Sequence, residues 1–153
     1  MLEKMNESAI AAEGVEQMLS QAGYSPKAIR YYIDRPYMGI LPNADQVSQM
    51  TGTCGDTMGV YLRLDEEGRI RDVRYQVLGC AGAVSAAMAL VDIVKGKTLA
   101  EAEKIDDGDV FQALEDIPAK KHHCIQLAVK TLHKAIKAYK NGRNADSAIK
   151  KRT

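Results

Sequence analysis

No charge of one sign dominates this chain: 21 basic residues stand against 20 acidic ones, a net charge of +1. Nucleic-acid binders usually carry a clear basic excess, so that class is set aside. No apolar run approaches the roughly 20 residues of a membrane span. The opening stretch MLEKMNESAIAAEGVEQ has acids near its start and no apolar core, unlike a secretory signal. The expectation is a cytoplasmic protein that meets neither nucleic acid nor membrane. Cysteine is scarce too. Three cysteines cannot pair completely within one chain, and cytosolic thiols stay reduced. No two of them have the C-x-x-C spacing of a zinc knuckle or a thioredoxin-like site. Internal repeats and low-complexity tracts are also missing.

What is present suits one compact domain: 153 residues, 46% hydrophobic and 27% charged. Ala11, Val15, Met18, Leu19 and Ala22 recur at helical spacing, and Gly23 is a stop signal. Ser25-Pro26 offers a cap followed by proline at the first helical position, for a helix to about Ile33. Pro36 and Gly39 break it, and a loop follows from Leu41 to Gln46. Val60, Leu62 and Leu64 alternate as in a half-buried strand, Asp65–Gly68 turns, and Val73, Tyr75 and Val77 alternate again. Ile70 has the wrong parity, so a bulge is expected near Asp72. A third strand is expected over Gln46–Thr53, on the edge of this hairpin, because two strands make a poor sheet. The remainder reads as helices: Gly82 to Lys95, a short one capped by Thr98 and Glu101, another over Asp109–Glu115, and a last one after Pro118. The last helix carries a stripe of Ile125, Val129, Leu132, Ile136 and Tyr139. The class is α+β, a small antiparallel sheet of about three strands packed against helices. The expected organisation is an N-terminal helical extension over 1–23, one domain over 24–141, and a loose basic tail over 142–153.

All three cysteines fall at element ends, outside any apolar stripe. Cys54 lies in the glycine-flanked Thr51-Gly-Thr-Cys-Gly-Asp56, Cys80 in Gly79-Cys-Ala-Gly82, and Cys124 in Lys121-His-His-Cys124. A structural cysteine is usually a small hydrophobe inside the periodic pattern. Two of these instead sit near helix N-termini, where the dipole favours the thiolate that binds metal or accepts sulfur. Lys120 and Lys121 add positive charge beside Cys124. If the loop after Cys54 continues as a strand, Asp56 shares its face and a carboxylate joins the thiolate; capping a turn is the equal alternative. His123, next to Cys124, is a candidate imidazole ligand for zinc or iron, with His122 as runner-up. A solvent-exposed role suits His122 and His133 better. Gly52, Gly55, Gly79 and Gly82 either permit tight turns or let the backbone approach an inorganic group.

Together, Cys54-Gly55-Asp56, Gly79-Cys80 and His123-Cys124 resemble, in order, the three ligand motifs of the IscU/NifU-type iron–sulfur cluster scaffold family. The resemblance runs from about Tyr24 to Tyr139 and includes Val94-Lys-Gly-Lys-Thr-Leu-Ala-Glu-Ala102. It implies a SufE/NifU-like fold and a solvent-accessible site made by Cys54, Asp56, Cys80 and Cys124, with His123 at the family's histidine position. It implies iron and a [2Fe–2S] cluster as cargo, with zinc in isolated protein. Sulfur would come as persulfide from a cysteine desulfurase, with Cys124 as candidate acceptor, and the cluster would pass to apo iron–sulfur acceptor proteins. A homodimer in the cluster-bound state is a further implication. The protein would then be a scaffold and not an enzyme; the alternative is a SufU-like zinc-dependent sulfurtransferase taking persulfide on Cys124. The insertion of the SufU branch between the second and third cysteine motifs is missing, which favours the scaffold. No second cysteine-rich domain follows, unlike full-length NifU. The Leu-Pro-Pro-Val-Lys stretch that an Hsp70 chaperone reads is here Ile117-Pro-Ala-Lys-Lys121, which weakens the case for that partner. The usual Asn-Pro-Arg-Asn is replaced by Asp34-Arg-Pro-Tyr37.

Overall fold

The computed structural model describes the backbone of residues 13–152 and the side chains of 13–142. The first described element is a helix over 13–22 (α1), so Ala11 in the expected stripe lies outside the described residues. Leu19 packs on the core while Met18 is exposed. Gly23 ends α1 at a φ of +108°.

Helix α2 (Pro26–Asp34) starts as its sequence dictates. The Ser25 hydroxyl accepts from the Ala28 amide at 3.0 Å, and proline opens the helix. Such a cap contributes about 1 kcal/mol. The same hydroxyl donates to the Leu114 carbonyl, which ties α2 to a distant element.

The sheet has three antiparallel strands in the order β1 (Gln46–Thr51), β2 (Thr57–Leu64), β3 (Ile70–Leu78). The expected edge strand is therefore present. Arg63 faces Asp72 but Leu64 faces Ile70, so Arg71 is the extra residue of a bulge. The bulge restores the parity of Ile70, and Ile70, Val73 and Tyr75 all point into the core. Met58, Val60 and Leu62 of β2 join them.

Helix α3 (Ala81–Val94) is buried on nearly every side, not along one stripe. An all-round apolar helix belongs at the centre of a fold. Here α2, β3 and the helices over Asp107–Leu114 and His122–Arg152 all pack on it. Ser85, its one buried hydroxyl, donates to the Ala28 carbonyl at 2.7 Å. Helix α4 (Leu99–Glu103) carries the expected Thr98–Glu101 capping box, and α5 (Asp107–Leu114) a second one between Asp106 and Asp109.

After Pro118, a 3₁₀ turn (Ala119–Lys121) leads into α6 (His122–Arg152). Ile125, Val129, Leu132 and Ile136 are buried as expected, and Tyr139 is half-buried. Tyr75 Oη donates to the Ala128 carbonyl at 3.0 Å and locks the sheet to this helix. Two expectations need correction. The backbone of α6 continues through Gly142 to Arg152, where a loose tail over 142–153 was expected. One glycine costs a helix only about 1 kcal/mol relative to alanine and need not end it. His133 is half-buried rather than exposed, and its Nε2 is enclosed without a hydrogen-bond partner. Among the described residues no helix is long and apolar enough to cross a membrane.

The fold thus brings three chain segments to one end: the β1–β2 turn, the β3–α3 junction and the start of α6.

Candidate metal centre

Each segment has its own local cause. Between β1 and β2 the chain turns over 52–56: the Gly55 amide donates to the Gly52 carbonyl at 3.0 Å, and the Gly52 amide to the Asp56 carbonyl at 2.8 Å. Gly55 has a φ of +90°, which favours glycine. A turn, not a continued strand, therefore brings Cys54 and Asp56 together. Cys80 is the N-cap of α3, with extended backbone, and its carbonyl accepts the first helical bond from Val84. Cys124 is the third residue of α6 and fully buried, whereas Cys54 is exposed and Cys80 intermediate.

Cys54, Asp56, Cys80, His123 and Cys124 converge. Cys80 Sγ lies 3.5 Å from Cys124 Sγ and 3.5 Å from Asp56 Oδ2; Cys124 Sγ lies 3.9 Å from the same oxygen. His123 Nε2 is 3.6 Å from Cys124 Sγ. Among the described residues two donor sets result, each with ligand atoms within 4.8 Å of one another: Cys54, Asp56 and His123, and Asp56, Cys80 and Cys124. Asp56 belongs to both. Its carboxylate lies against the two sulfurs, which disfavours the turn-cap reading. The runner-up His122 stays outside: it is exposed, with its ring edge-on to Phe111 at 4.9 Å.

Two thiols this close divide one proton unequally. The Cys80 thiol is pushed down to about 5, chiefly by the hydrogen bond from Cys124, then by the Ala83 amide at the helix start and the Lys121 charge, against burial and the negative Asp56. Cys124 is pushed strongly upward by the same hydrogen bond, by burial and by the charges of Cys80 and Asp56. The resting pair is a Cys80 thiolate receiving the Cys124 S–H. Iodoacetamide labelling of Cys80 in the apo protein, followed by peptide mass spectrometry, is therefore expected to fall off only as pH drops through about 5. An ordinary thiol loses reactivity below about 8.5. Cys124→Ala removes the proton donor and moves the Cys80 midpoint upward; an unmoved midpoint would show that the pairing does not set it.

Sequence reasoning missed Tyr24. It is almost buried, and its hydroxyl faces Gly82: a β-carbon there would lie 3.3 Å from Tyr24 Oη, 3.2 Å from Lys121 Cβ and 3.5 Å from Cys124 Sγ. Burial, then the two sulfurs, push the Tyr24 hydroxyl up to about 12, so it stays protonated beside the thiols. The only sequence sign was Gly82, which serves close approach and not a turn.

Residues 23–146 match the family model of the NifU-like N-terminal domain. The chain belongs to this NifU-like family. The resemblance read from the three cysteine motifs is borne out. Among NifU-like relatives, the iron–sulfur cluster assembly scaffold protein IscU of Escherichia coli (strain K12) is 36% identical over 126 residues, 80% of this chain and 98% of that protein. Iron–sulfur cluster assembly scaffold protein IscU 1 of Archaeoglobus fulgidus is 36% identical over 123 residues, 78% of this chain and 80% of the relative. Among solved structures, the N-terminal part of a nitrogen-fixing NifU-like protein from Brucella abortus superposes with a TM-score of 0.61 at 19% identity, covering 76% of this chain and 94% of that one. FiSufU, a SUF-system protein from Fervidobacterium islandicum AW-1, gives a TM-score of 0.60 at 23% identity, covering 74% and 96%. These two likenesses place the α+β fold among NifU- and SufU-like structures.

Proposed function

We propose that this chain is a scaffold on which [2Fe–2S] clusters are assembled and from which they are handed on. The observation that carries the reading is the meeting of three thiols, a carboxylate and an imidazole in two donor sets that share Asp56. Iron and the cluster are cargo here, and the donors suit them: thiolate and imidazole both bind iron. Clusters are usually held by four thiolates. With three in this chain, the fourth position falls to Asp56, His123, a partner's cysteine or a second subunit.

In this reading each thiol has a place in the sequence of events. Cys80, already a thiolate, takes iron without first losing a proton. Cys54 stands at the mouth, beside a cleft of about 230 Å³ walled by Met50, Gln126, Leu127 and Lys130. Sulfur arrives as persulfide from a cysteine desulfurase. Cys124 is the proposed acceptor: it passes its proton to Cys80, its thiolate attacks the outer sulfur of the persulfide, and the desulfurase cysteine leaves as a thiolate. An external thiol supplies the two electrons per sulfur that yield cluster sulfide. Because Cys124 is fully buried, the first turn of α6 must give way before an outside sulfur reaches it. Transfer to apo iron–sulfur proteins completes the cycle, in the cytoplasm.

The deciding experiment is anaerobic reconstitution of the reduced protein with ferrous iron, cysteine and a cysteine desulfurase. A visible chromophore with matched iron and sulfide per chain is expected. Tightly held zinc, no chromophore and faster desulfurase turnover would instead assign a zinc-dependent sulfurtransferase.

A further inference from the structure

Asp56 is the one residue common to both donor sets among the described residues, and a missing atom leaves its carboxylate room there. A β-carbon built on Gly79 would lie 2.7 Å from Asp56 Cγ and 3.0 Å from each carboxylate oxygen. Non-bonded carbons sit comfortably at about 3.5–4.0 Å, so the carboxylate occupies space that any other residue at 79 would claim. The backbone does not require glycine here: Gly79, unlike Gly55, has no left-handed φ.

The main chains on both sides are fixed. The Asp56 carbonyl accepts from the Gly52 amide at 2.8 Å, and Thr57, the next residue, pairs with Leu78, the residue before Gly79. Only the Asp56 side chain is free to yield. We propose that Gly79 is a positioning residue: by having no β-carbon it opens the slot in which the Asp56 carboxylate meets the Cys80 and Cys124 sulfurs. It thereby holds the two donor sets to one shared vertex. The use of that vertex rests on the scaffold reading; its existence does not.

The test is cobalt(II) binding to the reduced full-length apo protein, followed by the thiolate-to-cobalt and d–d absorption bands. The parent, Gly79→Ala, Asp56→Ala and the double variant are compared. Gly79→Ala is expected to melt with the parent, because a side-chain rotation of Asp56 relieves the contact. It is expected to bind cobalt about tenfold more weakly, the lower end of the usual effect of losing a group that orients a ligand. Its d–d bands are expected to move to those of Asp56→Ala. Once the carboxylate is gone, adding Gly79→Ala should change neither affinity nor bands. Parent affinity and bands in Gly79→Ala would overturn the proposal, as would an equal loss with and without the carboxylate. If Gly79→Ala alone is unstable, recovery in the double variant supports the proposal and continued instability overturns it. A parent that binds cobalt through Asp56 but builds no cluster would sink the scaffold reading while leaving the role of Gly79 standing.

Discussion

Alanine at Cys54, Cys80 or Cys124, one at a time, is expected to cut iron and acid-labile sulfide per chain at least about tenfold after reconstitution and to remove the visible chromophore. The chain begins one thiolate short of the four that usually hold a cluster, so each substitution leaves two. Asp56 and His123 are harder donors and poorer matches for cluster iron, so they do not make up the loss. The three variants differ in how they fail. Cys54 is exposed, and Cys54→Ala should lose the cluster with the melting temperature unchanged. Cys80→Ala also removes the preformed thiolate that Cys124 donates to, so the remaining thiol loses its hydrogen-bond partner as well as its co-ligand. Cys124→Ala opens a small void at a fully buried position and lifts the Cys80 value, which slows iron entry near neutral pH. Iron and sulfide analysis with visible absorption reads all three. A variant that keeps the parent's iron, sulfide and chromophore removes that cysteine from the ligand set.

The parts of this molecule that could be read from its sequence are those with local causes. Ser25-Pro26 and the Thr98–Glu101 box start helices through short-range hydrogen bonds. The parity conflict at Ile70 is a two-residue fact, and the bulge at Arg71 answers it. Residues forced together by tertiary contact were less legible. Helix α3 carries Ala81, Ala83, Ala86, Ala87 and Ala89 amid its larger apolar residues, so its sequence gives little contrast between faces and hides its burial on nearly every side. The choice between His122 and His123 turned on where α6 begins, and helix ends are uncertain by a residue or two from pattern alone. The 3₁₀ turn after Pro118 fixes that frame and aims His123 inward. Asp56 was placed beside Cys54 for a reason that does not hold, strand alternation, while a glycine turn does the work. Tyr24 and the Gly79 slot depend on contacts across 58 and 23 positions of chain, between Tyr24 and Gly82 and between Asp56 and Gly79, which no local pattern carries.

Asp56→Ala is expected to slow transfer of a bound cluster to an apo-ferredoxin by about tenfold or more, even though it weakens binding of a single divalent ion. The two effects have different origins. For one cobalt or zinc ion, the carboxylate is a donor and a compensating charge, and losing it costs affinity. A cluster already held by three thiolates carries excess negative charge, and Asp56 adds to it: its charge works against the ionised form of both Cys80 and Cys124. The carboxylate is also the hardest donor of the five, so on a cluster iron it is the ligand an incoming acceptor thiolate displaces most easily. Without it, repulsion around the thiolates falls, and the vacated position passes to the firmer imidazole of His123, which already lies 3.6 Å from Cys124 Sγ. The outgoing step thereby loses its weak point. Transfer followed by the rise of the ferredoxin's visible circular dichroism measures the rate directly. Asp56→Asn separates the two causes, because it removes the charge while keeping an oxygen donor. If Asn behaves as Ala, charge sets the rate of release; if it behaves as the parent, ligand exchange does. Transfer by Asp56→Ala as fast as the parent's would mean that the carboxylate serves the arrival of iron and has no part in the departure of the cluster.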